Sequence, residues 1–205
     1  MRQQPWSHNL HYHRVILGAV PAGCGRALDV GCGTGALTRR LRRVVPAVTG
    51  IDRDGRSIAL AVSHPGAGDI SYLHGDFLAW PFEERTFGLV TSVASLHHMD
   101  AERALASMRA LLRPGGVLAV VGLARGHAPA DLGLELPAVI GTRLHLAADR
   151  ARHGRPDAET YHPPVVWPPA TTYADIRRLA ARLLPGARYR RHLYWRYSLV
   201  WTSPA

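Results

Sequence analysis

"ALDVGCGTGALTRRL", residues 27–41, is the stretch on which the reading of this chain turns. An apolar run closes on an acid, Asp29, then glycines stand at 31, 33 and 35, and a helical pattern carrying Arg39 and Arg40 begins. A strand, a glycine loop and a helix N-terminus in that order make a cradle for a nucleotide-like ligand. Glycines permit turns and close approaches that a β-carbon forbids, and the free N–H groups at the start of a helix attract anions. Gly31, Gly33 and Ala36 also satisfy the G-x-G-x-x-A spacing of dinucleotide folds, so the glycines by themselves leave the ligand open.

Outward from this loop, apolar segments alternate with helical patterns. "RALDVG", "AVTGID", "ISYLHGD", "FGLVTSV" and "GVLAVVGL" predict strands, and 36–45, 54–64 and 100–112 predict helices between them. That alternation implies an α/β protein whose mostly parallel sheet is covered on both faces. Asp100 is placed to cap the helix "AERALASMRALL", and "RPGG" at 113–116 stops it. A lead helix is expected from about residue 7 to 20, ended near Pro21 and Gly23. Thr171 or Thr172 caps "TTYADIRRLAARLL", and two strands, 187–193 and 197–203, close the chain. The expected organisation is one domain over 1–205: a cap helix in 1–22, a cofactor-binding core in 23–124, a lid insertion in 125–170 and a C-terminal helix with hairpin in 171–205.

Composition narrows the classes. The 205 residues are 47% hydrophobic and 20% charged, ordinary for a globular chain able to bury a core. Cys24 and Cys32 are the two cysteines, and one lies inside the glycine loop, which argues against a disulfide framework. No apolar run approaches the roughly twenty residues of a spanning helix, and "MRQQPWSHNLHYH" has no signal-peptide core, so the cytoplasm is the expected address. All 25 basic residues are arginine, and the net charge is +10. Residues 101–205 hold fifteen arginines against seven acids, and seven arginines with no acid follow residue 176. Such a basic half suits an anionic substrate, an RNA or an acidic partner, or else a solvated surface with guanidinium-aromatic packing in "RYRRHLYWRYSLVW".

The residues around the glycines separate the ligand classes. Asp29 with the three glycines gives D-x-G-x-G-x-G; Asp52 ends "VTGID"; Asp76 stands in "HGDF"; "FGLVTSVASLHHM" and "LLRPGGVLAVVG" follow. Together these resemble the motifs of the class I S-adenosylmethionine-dependent methyltransferases, over residues 26–123 and 172–203. Gly88 departs from the aspartate that family often has in its fourth strand.

The resemblance implies a Rossmann-like, doubly wound, mostly parallel seven-stranded sheet with an antiparallel C-terminal hairpin strand and an inserted helical lid. It implies S-adenosyl-L-methionine as cofactor. Asp29 would accept from the donor's ammonium, directly or through water, Asp52 would hold the ribose hydroxyls, and Asp76 would meet the adenine amino group with Phe77 as an apolar wall. Gly31, Cys32, Gly33, Gly35, Arg53 and Val93 complete the expected donor contacts. Tyr12 of the lead helix, or Trp6, either faces the sulfonium or seals the sheet edge.

Methyl transfer needs an acceptor aligned behind the methyl group and water excluded. His97 and His98, just beyond the fourth strand, are the candidate catalytic residues: an imidazole there is a general base near neutral pH, or else it packs under the loop. His8, His11 and His13 do not form a convincing metal-binding face, and no metal is expected. Arg125, Arg143, His145, Tyr161 and Trp167 are lid candidates for substrate contact, and Arg190, Arg191 and Arg196 beside Tyr194 and Trp195 are candidates for an anion or for structural stacking. The expected function is methyl transfer to a small molecule in secondary metabolism, at oxygen, nitrogen or carbon. The rivals are an RNA methyltransferase and a non-catalytic cofactor-binding partner. "SVAS" stands where many amino-directed nucleic-acid methyltransferases carry an N-P-P-Y-like tetrad.

Overall fold

The computed structural model describes residues 8–126, 168–193 and 195–204. Most of the expected lid, together with Trp6 and Tyr194, lies outside the described residues.

Five α-helices are described, α1 (His8–Leu17), α2 (Ala36–Leu41), α3 (Gly55–Ser63), α4 (Ala101–Ala110) and α5 (Tyr173–Leu183). Seven strands accompany them, β1 (Arg26–Val30), β2 (Ala47–Asp52), β3 (Ser71–His74), β4 (Phe87–Val93), β5 (Leu112–Leu123), β6 (Arg188–Arg191) and β7 (Arg196–Thr202). They form one sheet in the order β3-β2-β1-β4-β5-β7-β6. The first five strands pair in parallel, and β7 runs antiparallel to both β5 and β6.

Side chains on a strand alternate between faces, and both faces of this sheet are buried, which is why the strands read as continuous apolar runs. Ala27, Leu89, Val117, Ala119 and Val121 pack with Tyr12 and Ile16 of α1 and Leu37 and Leu41 of α2. Their neighbours Leu28, Val30, Val90, Leu118 and Val120 belong to a second core with Leu105 and Met108 of α4 and Ile176 of α5.

Local chemistry sets the element ends. Asp54 and Asp100 accept from Ser57 N and Arg103 N, capping α3 and α4, and Thr172 with Asp175 forms a reciprocal capping box on α5. α2 stops at Leu41, short of the expected residue 45. Val44 and Val45 are β-branched, and Pro46 pushes its predecessor out of helical geometry. The chain at 42–45 instead closes on Leu41 O, with Val44 N at 2.9 Å and Val45 N at 2.8 Å. "RPGG" leaves the ladder as a bulge: Phe87 pairs with Leu112, yet Leu89 already pairs with Val117.

Parallel pairing brings the C-terminal ends of β1 to β5 to one edge, where ligands bind in open α/β sheets. β7 starts at that same edge, since Arg196 pairs with Leu123. The site is built there.

One buried group in α1 has a thermodynamic consequence. His13 is 4% exposed, and its Nδ1 has no hydrogen-bond partner among the described residues. Burial, aided by the charge of Arg40, holds its pKa down to about 4 from 6.5. Above pH 6.5 the ring is neutral in both states and contributes nothing. Below it the unfolded chain takes up a proton that the folded one refuses, and the loss saturates near pH 4 at roughly 3 kcal/mol. In urea titrations, His13→Leu is expected to lose less stability than the parent chain between pH 6.5 and 4; parallel curves would contradict this.

Candidate functional site

The glycine loop is braced from beneath. Asp29 is 1% exposed, its Oδ2 accepting from Thr38 Oγ1 of α2 at 2.8 Å and its Oδ1 from Thr91 Oγ1 of β4 at 3.1 Å. Burial raises its pKa to about 6, outweighing the two hydroxyl bonds that pull the other way, and the charge of Asp52 adds to the rise. The carboxylate therefore faces inward and fastens three elements together. The resemblance had Asp29 meeting the donor's ammonium directly or through water; in this orientation its two oxygens accept from Thr38 and Thr91. Thr38 and Thr91 are the partners that the sequence reading missed. A lone threonine inside the apolar run of β4 was the available signal.

Above that brace the backbone turns sharply. Gly31 lies at φ 71°, and a β-carbon there would run into the side chain of Ser95. Ser95 Oγ donates to Val30 O at 2.9 Å, which leaves its oxygen to accept from Ser92 Oγ at 2.6 Å. The loop after β4 is thereby pressed onto the glycine loop. Ala94 takes φ 54°, an uncommon conformation for an alanine, and its N–H donates to Val121 O at 2.7 Å. Leu96 buries itself in the core, and the short 3-10 turn Leu96–His98 lifts both histidines to the edge.

Gly33, at φ 53°, has no atom within 4 Å of where a β-carbon would stand, so its backbone borders open space. Asp52 faces it, with Oδ2 accepting from Gly33 N at 2.7 Å and Oδ1 from Asp54 N at 2.9 Å. A carboxylate offers about four acceptor positions, so about two remain for a pair of hydroxyls. The residues present thus fit an adenosyl donor: a strand-end carboxylate with spare lone pairs beside bare backbone.

The other expected donor residues fall as follows. Gly75 N donates to Asp52 O at 2.9 Å, which places the exposed Asp76 close by; its Oδ1 accepts from Leu78 N. Phe77 is buried against Phe82 in the core below. Cys32 is buried under the loop near Asp29 and Asp52, and burial raises its thiol pKa well above the ordinary value. Arg53 is exposed, Gly35 abuts Tyr72, and Val93 is half-buried against the α1–α2 core. Tyr12 is 4% exposed and donates its hydroxyl to Leu193 O at 2.9 Å, with its ring 5.1 Å from that of His192. Its hydroxyl is thus tied to the turn between β6 and β7.

His97 and His98 lie with ring centroids 4.1 Å apart and their planes tilted by 41°. Burial lowers the pKa of His97 to about 4, helped by the charges of His98 and Arg196. His98 is also lowered by burial and by Arg53, against the opposing pull of Asp52. His98 thus feels the charge of Asp52, and His97 that of Arg196.

The state of Asp29 carries a testable sign. Its folded pKa of about 6 lies above the ordinary 3.8, so the stability it contributes is present below pH 3.8 and lost as pH rises through 6. Asp29→Asn keeps one acceptor and adds donors that the threonine hydroxyls can accept. It is expected to stabilise the chain at pH 7 by about 1–3 kcal/mol and to leave stability near pH 4 almost unchanged, in chemical denaturation at both pH values. Destabilisation at pH 7 alone would show that the ionised form is the favoured one.

Comparison with known proteins agrees with this geometry. Residues 27–116 match a protein family described as "Methyltransferase domain". An uncharacterised methyltransferase of Mycobacterium bovis is 35% identical, with 98% of each chain covered. A demethylmenaquinone methyltransferase of Roseiflexus castenholzii is 32% identical over 79% of this chain and 69% of its own length. The crystal structure of an S-adenosylmethionine-dependent methyltransferase from Mesorhizobium loti superposes with a TM-score of 0.50 at 26% identity, covering 58% of this chain and 55% of that one. With the acid-tipped strands, the glycine loop and the seven-strand order in place, the chain belongs to the class I S-adenosylmethionine-dependent methyltransferases.

Proposed function

We propose that this methyltransferase acts on a small-molecule acceptor, held over the β4–β5–β7 half of the edge while the donor occupies the β1–β2–β3 half. The carrying observation is the pair of histidines that the turn after β4 lifts to this edge, ring centroids 4.1 Å apart, with His97 Nδ1 buried and without a hydrogen-bond partner among the described residues. The similarity to an enzyme named for demethylmenaquinone is consistent with a small acceptor.

In this reading Gly31, Cys32, Gly33, Gly35, Asp52, Arg53, Asp76, Phe77 and Val93 surround the donor. S-adenosylmethionine, when bound, supplies an electrophilic methyl group on a sulfonium centre. Asp52 holds hydroxyls with the lone pairs that Gly33 N and Asp54 N leave over, and the bare backbone at Gly33 admits the ligand. Asp29 sets the loop's shape from below. His97 is neutral across the physiological range, and its Nδ1, buried with no partner among the described residues, is the atom that takes a proton from an acidic acceptor. Its low pKa makes it a weak base, effective where the acceptor's own proton is made acidic.

An RNA acceptor draws on the basic second half. Part of that charge is committed locally: Arg178 pairs with Asp175 and Arg182 with Glu102, each at 2.7 Å, and Arg109 donates to Leu183 O. Among the described residues no helix is long and apolar enough to cross a membrane.

Calorimetric titration tests the donor half. S-adenosylmethionine is expected to bind where NAD does not, and Asp52→Ala is expected to weaken it roughly 10- to 100-fold, the worth of hydrogen bonds to a charged group. NAD binding in preference to the sulfonium compound would defeat the reading. The acceptor half is tested with labelled S-adenosylmethionine and extracts fractionated into metabolites and RNA. Label is expected in the metabolite fraction, and His97→Gln is expected to cut turnover roughly 100-fold with donor affinity within about twofold. Label in RNA would transfer the assignment to the nucleic-acid rival.

A further inference from the structure

We propose that Trp80 is a positioning residue for the donor's base: by lying on Gly75 it holds the Asp76 carboxylate where a purine's amino group is accepted and an oxo group is refused. The proposal rests on S-adenosylmethionine occupying the β1–β2–β3 half of the edge, as read above. Gly75 is the first residue beyond β3, and neither it nor Trp80 is among the donor contacts expected from the sequence.

The indole fills the space over Gly75. A β-carbon at residue 75 would stand 2.6 Å from Trp80 Cε3 and 2.7 Å from Cζ3, closer than two carbons tolerate. Gly75 lies outside the left-handed region, so its backbone suits any residue and the indole is what requires a glycine there. Trp80 is itself held. It packs on the core below with its ring 6.2 Å from Phe82, which lies 6.2 Å from Phe77 and 6.0 Å from Phe87. Trp80 O also accepts from Phe82 N at 2.8 Å. A ring packed in this way moves only if its neighbours move.

Between the glycine and the indole the chain makes one tight turn, and that turn carries the acid. Asp76 O accepts from Ala79 N at 3.1 Å, and Asp76 Oδ1 from Leu78 N at 2.9 Å. On the other side Gly75 N donates to Asp52 O at 2.9 Å, which ties the turn to the strand whose carboxylate takes the ribose hydroxyls. A carboxylate accepts hydrogen bonds and donates none. Held still, it accepts from a 6-amino group and repels a 6-oxo oxygen in the same place. Released, it would turn to the N1–H that an oxopurine presents, and the discrimination would be lost. Asp76 is exposed, so its selectivity depends on being fixed in place rather than on burial.

The test uses the full chain with S-adenosylhomocysteine and S-inosylhomocysteine, which differ at the 6-position and N1 of the base, and reads binding by calorimetry. The parent chain is expected to bind the adenosyl compound roughly ten-fold or more tightly. Trp80→Leu keeps an apolar side chain on the core and is expected to bring the ratio below about threefold. Gly75→Ala forces the indole off residue 75 and is expected to do the same from the other side of the contact. The double variant is expected to be no worse than either single one, because both remove one shared interaction. Packing without positioning would weaken both ligands by one factor, and a ratio that keeps its parent value in either single variant would overturn the proposal. A parent chain that binds the two compounds equally would overturn it as well, whether or not the variants fold. Failure of S-adenosylhomocysteine to bind the parent chain would instead remove the methyltransferase reading on which the proposal stands.

Discussion

A carboxylate in the protein interior, gripped by two threonine hydroxyls, ties β1, α2 and β4 together at the point where the glycine loop begins. The rest of the ligand edge depends on that tie. The loop's height above the sheet, the position of the α2 N-terminus and the register of β4 beside β1 all meet at Asp29. The price is desolvation, and it outweighs the stabilisation from the hydroxyls, since the pKa rises instead of falling. A purely structural optimum would place a neutral group here. That the chain keeps an acid fits the general pattern in which buried ionisable groups at a ligand edge serve geometry and charge at some cost to stability.

The edge has an electrical polarity. Asp29, Asp52 and Asp76 lie at the ends of β1, β2 and β3, while Arg196 and Arg191 lie at the β7–β6 end of the same sheet. Between them the loop after β4 is pinned by Ser95 to Val30 and by Ala94 to Val121, so the two sides keep a fixed separation. Such a fixed arrangement suits a displacement in which alignment contributes more than any single proton transfer.

Much of this was legible in the sequence because it rests on local rules. The glycine loop, the strand-end acids, the Asp100 cap and the order of strands and helices follow from periodicity and turn chemistry. The helix expected to reach residue 45 stops at Leu41 because Pro46 and two valines override the apolar pattern. What could not be read are facts about orientation. An aspartate at a strand's end looks the same whether it points to a ligand or, like Asp29, into the core. Tyr12 likewise reads either as a ligand face or as a seal of the sheet edge, and the sequence gives no sign of the carbonyl of Leu193, 181 residues away, that holds its hydroxyl. Arg196 was one of seven arginines in a basic tail, and only the pairing of β7 with β5 separates it from those at the surface.

Burial changes the charge of His97 and Arg196 in a way that depends on where each begins. Desolvation acts on His97 and Arg196 alike, and it takes the histidine from 6.5 to about 4 and the arginine from 12.5 to about 10. The first crosses neutrality and loses its charge, whereas the second stays far above it. Arg196 also reinforces the difference, because a fixed positive guanidinium disfavours a proton on the imidazole. His97 and Arg196 are therefore an unprotonated imidazole and a charged guanidinium over the whole physiological range. Two histidines, or two arginines, in the same places would supply only one of those properties at a time.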